Sequence, residues 1–157
     1  MSVIISGSEN NGSDCRRVNS QRMSIGAGIV RKISINCDGV NVWLQAGNTR
    51  NVEAHLFGNG ATEKGRTKFN MFTFLTVLTI TAVLPNNCHN DFWLEITIPQ
   101  KEYRKIEIKN KNGNITVGED VKTRNLELHA TGGNVTVNAN CRNVLTVVED
   151  GDSIIVH

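Results

Sequence analysis

Three carboxylates crowd the stretch VVEDGDS: Glu149, Asp150 and Asp152. Clustered oxygens of this kind suit a hard cation such as calcium. The spacing, however, fits neither an EF-hand loop nor the Gly-Asp nonapeptide of calcium-binding β-rolls. A tight turn between strands calls for Asp and Gly on conformational grounds alone, so no metal or cofactor site is expected here. The stretch NCHND, residues 87–91, sets Cys88 beside His89 and near Asp91. Such a group can be a nucleophile with its base, or half of a metal site. Strand neighbours face opposite ways, and no second pair of soft ligands follows at zinc-like spacing. A turn after Pro85 accounts for these residues, and no catalytic residue is assigned.

Two further groups have chemical potential. Trp43, Trp93 and Tyr103 together would make a sugar-stacking platform, because an aromatic face packs on pyranose C–H groups. Both tryptophans fall within alternating strands, where core positions or caps of a stack are the expectation. Glu107 and Glu127 are expected to superpose on adjacent strands, where like charges repel. Lys105, Lys109 and Lys122 are near enough to offset them, giving a solvated face of mixed charge. The Asn-X-Ser/Thr sequons at Asn11, Asn114 and Asn134 carry little weight, since two of them sit in turns where Asn has a conformational reason to be.

The elements that must position these groups are strands. The chain has 157 residues, enough for one domain with its own core. Charged residues make up 20% and the net charge is +2, so neither nucleic acid nor a membrane surface is an expected partner. Four cysteines (Cys15, Cys37, Cys88, Cys141) include no CxxC pair and read as free thiols. Residues 1–26 are rich in Ser, Asn and Gly and read as a polar tail or a loosely attached strand; residues 27–157 form the domain proper. The first residues lack the basic start, apolar run and cleavage site of a signal peptide. The chain as written therefore reads as cytoplasmic, and as a cell-surface protein where a leader has been removed. FNMFTFLTVLTITAVL, residues 69–84, is too short for a membrane helix and too rich in Thr. It reads as a buried strand, or two strands joined at a bend.

The last third repeats itself. KNKNGNITV begins at Lys109 and HATGGNVTV begins at His129. Alternating aliphatic pairs recur with them: Ile106, Ile108, Ile115 and Val117; then Leu126, Leu128, Val135 and Val137; then Leu145, Val147, Ile154 and Val156. Each unit reads strand, Gly-containing turn, strand, polar return. A period of about 20 residues predicts an all-β, single-domain β-solenoid, with these twelve residues stacked inward as its structural core. One unit cannot bury its aliphatic face alone, so the units must pile up.

The run LEITIP, a short charged spacer, then IEIKNKNGNITV and two Gly-centred repeats resembles the bacterial "putative adhesin" family, small β-solenoids, over residues 30–157. The long Thr-rich segment before Pro85 departs from that pattern. The resemblance implies a non-catalytic structural or binding module that presents a rigid β-surface to a protein or glycan. The alternatives are a carbohydrate-active enzyme on a small β-helix and an intracellular assembly or regulatory protein. A parallel stack leaves an apolar rim at its ends, so a homo-oligomer through the C-terminal coil is a further expectation.

Overall fold

Alternation of apolar and polar residues, which the pleat converts into two faces, runs through most of this chain. The computed structural model describes residues 4–9, 18–59, 67–85, 92–149 and 154–156. They form fourteen strands in two mixed sheets, neither closed, and no helix is found among the described residues. The larger sheet carries, in spatial order, β1 (Ile4–Glu9), β2 (Val18–Gly26), β5 (Asn51–Asn59), β8 (Phe92–Pro99), β4 (Asn41–Gly47), β10 (Ile115–Val117), β12 (Val135–Val137) and β14 (Ile154–Val156). The smaller sheet carries β13 (Asn140–Glu149), β11 (Lys122–Thr131), β9 (Glu102–Lys111), β3 (Lys32–Asp38), β7 (Val77–Val83) and β6 (Lys68–Phe74). No helix among the described residues is long and apolar enough to cross a membrane.

Each unit sends one strand to each sheet, and equivalent residues stack in register. In the smaller sheet Leu78 lies beside Thr73 on one side and Ile33 on the other, followed by Ile106, Leu126 and Val144. In the larger sheet the matching row is Leu94, Val42, Ile115, Val135 and Ile154. Both sheets contribute to one hydrophobic cluster. The β3–β4 unit comes early in the chain yet sits between β7–β8 and β9–β10. Residues 69–84 form an antiparallel hairpin, β6 and β7, that turns at Leu75 and Thr76. Residues 18–26, read from the sequence as part of a polar tail or a loosely attached strand, form β2, which pairs along β5 and brings Met23 and Ile25 into the core.

The turns that join the sheets also stack. Gly39 and Gly132 have φ of 87° and 75°, and Asn112, one level between them, has φ of 58°. After Asn112 and Gly132 the next position is closed to side chains: a Cβ on Gly113 would lie 1.9 Å from the carbonyl oxygen of Val40, and one on Gly133 1.9 Å from that of Gly113. One residue further on, asparagines form a ladder. Asn41 Oδ1 accepts the backbone N–H of Asn114 at 3.1 Å, and Asn114 Oδ1 accepts that of Asn134 at 2.9 Å. These bonds give orphan turn donors a partner at each level. They also explain why both repeated phrases contain Gly-Asn, at Gly113-Asn114 and Gly133-Asn134.

Eight of the twelve repeat aliphatics, from Ile106 to Val137, are 1% exposed or less. The third unit requires a correction. Leu126 pairs with Val144 and Leu128 with Thr146, while Leu145 and Val147 lie beside Glu127 and His129. Leu145 and Val147 are accordingly 55% and 37% exposed. The step from β11 to β13 is 18 residues, not the 19 that aligns β12 with β14. A slip of one residue moves every side chain of a strand to the opposite face. Val156 keeps its aligned position beside Val137 but is 55% exposed, because β14 is the edge of its sheet.

Candidate functional site

The same alternation that buries Val42 and Leu44 drives Trp43 outward, and Leu94 and Ile96 do the same for Trp93. Trp43 is 40% exposed and Trp93 42%, so neither is a core residue or a cap. This corrects the expectation drawn from their strand context. Tyr103 does belong to the core: it is 1% exposed and its hydroxyl donates to the Pro99 carbonyl at 3.0 Å.

The two indoles lie on neighbouring strands. Trp93 sits opposite Asn41, and Trp43 opposite Glu95 two residues along, which makes the tryptophans diagonal neighbours on the outer face. Phe57 flanks Trp93 from β5, and His55 flanks Glu95. The His55 and Phe57 rings are 4.6 Å apart at 35°. Polar groups fill the rest of the face. Gln45 donates to Glu95 Oε1 at 3.0 Å and to Thr97 Oγ1 at 3.1 Å, which holds the carboxylate and amide in fixed positions. Ser20 Oγ lies 2.6 Å from His55 Nε2, and Arg22 is in register with His55. Burial lowers the His55 pKa, Arg22 lowers it further, and Glu95 opposes both. Burial and Arg22 together favour the neutral imidazole.

Chemically, this is an exposed aromatic surface bordered by one carboxylate, one amide, one imidazole and one guanidinium. Apolar rings and fixed hydrogen-bonding groups side by side suit a ligand with C–H faces and hydroxyl edges. The Ser20–His55 contact has the form of a nucleophile and base, but that pair needs a third group to orient the ring. Glu95 is the adjacent carboxylate, and its Oε1 is engaged with Gln45.

The outer face of the smaller sheet carries the stacked acids. Glu107 and Glu127 pair directly, and Lys105 bridges them, with Nζ 2.9 Å from Glu127 and 3.8 Å from Glu107. Lys109 reaches Glu107 at 3.8 Å, whereas Lys122 lies beside Glu102 in strand register and not beside either acid. The hydrogen bond from His129 at 2.8 Å, then that from Lys105, lowers the Glu127 pKa to about 2. A carboxylate whose folded pKa lies below its unfolded value stabilises the protein above the unfolded pKa. That contribution disappears as pH falls toward 2. The melting temperature is expected to drop between pH 5 and pH 2, and Glu127→Gln should flatten that slope, as calorimetry across the range would show.

The remaining candidates separate. Asp150 and Asp152, and Cys88, His89 and Asp91, lie outside the described residues, as do Asn11, Cys15 and His157. Glu149 is exposed at the end of β13. Asn114 and Asn134 serve the turn ladder. Among the described residues no group of three or more His, Cys, Asp or Glu could hold a metal ion. Cys37 is a buried free thiol whose pKa burial pushes up to about 12, and Cys141 is free and half-buried.

A model of the Toastrack DUF4097 family matches residues 30–152. The chain belongs to this family. The Toastrack match begins at Val30 and spans β3 to β13 in full, so it covers both tryptophans. It agrees with the resemblance read from LEITIP and the Gly-centred repeats. Among solved structures, a putative cell adhesion protein from Clostridium sporogenes aligns at 11% identity and TM-score 0.45, covering 88% of this chain and 98% of that one. A putative adhesin from Parabacteroides distasonis aligns at 11% identity and TM-score 0.37, covering 85% and 66%. A third, from Bacteroides fragilis, aligns at 8% identity and TM-score 0.34, covering 87% and 96%. No match to the chain was found among curated proteins.

Sequence reasoning noted Trp43 and Trp93 but placed them inside, and it missed Phe57, His55, Glu95, Gln45 and Arg22 as their neighbours. The signal for orientation was available. Leu94, Ile96 and Ile98 on one face of a strand require Trp93 on the other, and Val52, Ala54 and Leu56 require His55 and Phe57 outside. Their meeting on one surface depends on the order of β2, β5, β8 and β4, which no local pattern encodes.

Proposed function

We propose that this Toastrack domain is a non-catalytic binding module that holds a glycan on the Trp43–Trp93 face. The observation that carries the reading is the pair of indoles, both about two-fifths exposed, on adjacent central strands of a sheet. Aromatic side chains fixed in this way lose little freedom on binding. Glu95 and Gln45, already hydrogen-bonded to each other, supply oriented partners for hydroxyl groups. We read the strand–turn–strand units as a short β-solenoid whose stacking holds the two tryptophan-bearing strands side by side. "Putative adhesin" and "putative cell adhesion protein" describe the similar structures, and adhesion to a surface glycan is the role this reading gives the domain.

A glycan array followed by titration calorimetry tests it. Trp43→Ala and Trp93→Ala should each weaken the best glycan by about thirtyfold or more, as truncation of a buried anchor does. The melting temperature should stay close to that of the parent, since both rings face solvent. A parent that binds no glycan, or variants that bind as well as the parent, would sink the reading. The 2.6 Å Ser20–His55 contact favours one rival, a carbohydrate-active hydrolase. In a parallel hydrolysis screen, turnover abolished by Ser20→Ala would establish that rival instead.

A further inference from the structure

Away from the tryptophan face, one edge combines the most solvent-exposed large apolar side chains among the described residues with a row of cations. Leu75 is 73% exposed, Phe74 70% and Ile29 67%, the highest values among the described large hydrophobics. Phe74 and Leu75 form the tip of the β6–β7 hairpin, where Leu75 adopts a φ of 55°, an unusual conformation for a bulky residue. Ile29 lies in the link between β2 and β3. Ile29 and Leu75 line one cleft of about 870 Å³ together with Arg31, Lys101, Arg104 and Arg124.

The arginines are in line. Arg31 donates its backbone N–H to the Thr76 carbonyl at 2.8 Å, and Arg104 donates its own to the Arg31 carbonyl at 2.9 Å. The pairs Tyr103–Thr123 and Lys105–Asn125 bracket Arg104 and Arg124. Thr123–Cys141 and Asn125–Asn143 do the same for Arg124 and Arg142. Four exposed arginines therefore occupy successive levels about 4.8 Å apart. Like charges directly opposite on adjacent strands are unfavourable. Arg124 has an acid partner, Glu102 at 3.0 Å, but Arg31 and Arg104 form no ion pair among the described residues. Lys101 is tied to the Ala27 carbonyl at 3.0 Å beside them, and burial, then Arg31, lowers its pKa.

We propose that this edge docks on an anionic lipid surface, with the hairpin tip and Ile29 entering the headgroup boundary and the arginine row meeting lipid phosphates. A soluble polyanion would use the arginine row and leave the three apolar tips in water. A lipid surface uses both, because interfacial binding adds apolar burial to attraction for anionic headgroups. A flat boundary also fits a straight row of guanidinium groups beside protruding tips. This site shares no residue with the glycan platform and does not depend on that reading.

Vesicle sedimentation of the full chain provides the test, using phosphatidylcholine alone and with about a third phosphatidylglycerol. The protein should pellet with the anionic vesicles and be released as salt is raised toward roughly 1 M. The combined Arg31→Gln, Arg104→Gln and Arg124→Gln variant should partition on the order of a hundredfold more weakly. Leu75→Gly is the second variant. Glycine accepts the left-handed backbone freely, so this protein should melt no lower than the parent while binding anionic vesicles several-fold less. Equal binding to neutral and anionic vesicles, or undiminished binding by both variants, would overturn the proposal. Binding to soluble polyphosphate or to an acidic polypeptide without binding to vesicles would overturn it too, reassigning the row to that partner.

Discussion

Gly133→Ala is expected to lower the melting temperature by roughly 10 °C, which for a chain of this size corresponds to about 3 kcal/mol. The added Cβ would stand 1.9 Å from the Gly113 carbonyl oxygen and 2.5 Å from its carbon. Both are backbone atoms, so no side chain can rotate away. Relief requires the two turns to separate, and that breaks the Asn134 N–H bond to Asn114 Oδ1 at the next residue. Gly28→Ala is the control, because a Cβ there meets nothing within 4 Å. Thermal scans of the two variants decide the matter. If Gly133→Ala melted with the Gly28→Ala protein, the close stacking of turns would be wrong.

The second large effect concerns register. Leu126→Ala should cost about 2–5 kcal/mol, since its side chain is 1% exposed between Ile106 and Val144 and its removal leaves a cavity. Leu145→Ala, one residue beyond the facing position on β13, should change stability by about 0.5 kcal/mol or less, because that side chain is 55% exposed beside Glu127. Urea titrations would measure both. The period of the sequence treats these two leucines as equivalent, so comparable losses would restore the 19-residue alignment and reject the 18-residue step.

Charge shows how an average conceals a site. A net charge of +2 argued against nucleic acid and membrane surfaces, yet Arg31, Arg104, Arg124 and Arg142 fall in one column. Part of that column was legible, since Arg104 and Arg124 are one 20-residue period apart. Arg142 follows after 18 residues and Arg31 belongs to a unit distant in sequence, so periodicity could not add them. Cys37 and Tyr103 illustrate the opposite case. Each lies on the apolar phase of its strand, and burial sets its pKa high without giving it a functional role.

By itself the sequence determined the all-β class, the inward faces of the strands before the third unit and the Gly-Asn turns. These follow from period-two alternation and from backbone conformations that few residues accept, both of which are local properties. Applied consistently, alternation also orients Trp43, Trp93 and Phe57 outward. Only the tertiary structure decided which strands become neighbours. The β3–β4 unit enters between β7–β8 and β9–β10, and β2 and β5 extend the larger sheet in antiparallel fashion. Backbone ladder bonds are the same for any strand pair, so the choice rests on packing summed over the whole core. The tryptophan platform and the arginine row both arise from that choice, because each assembles residues from strands far apart in the chain.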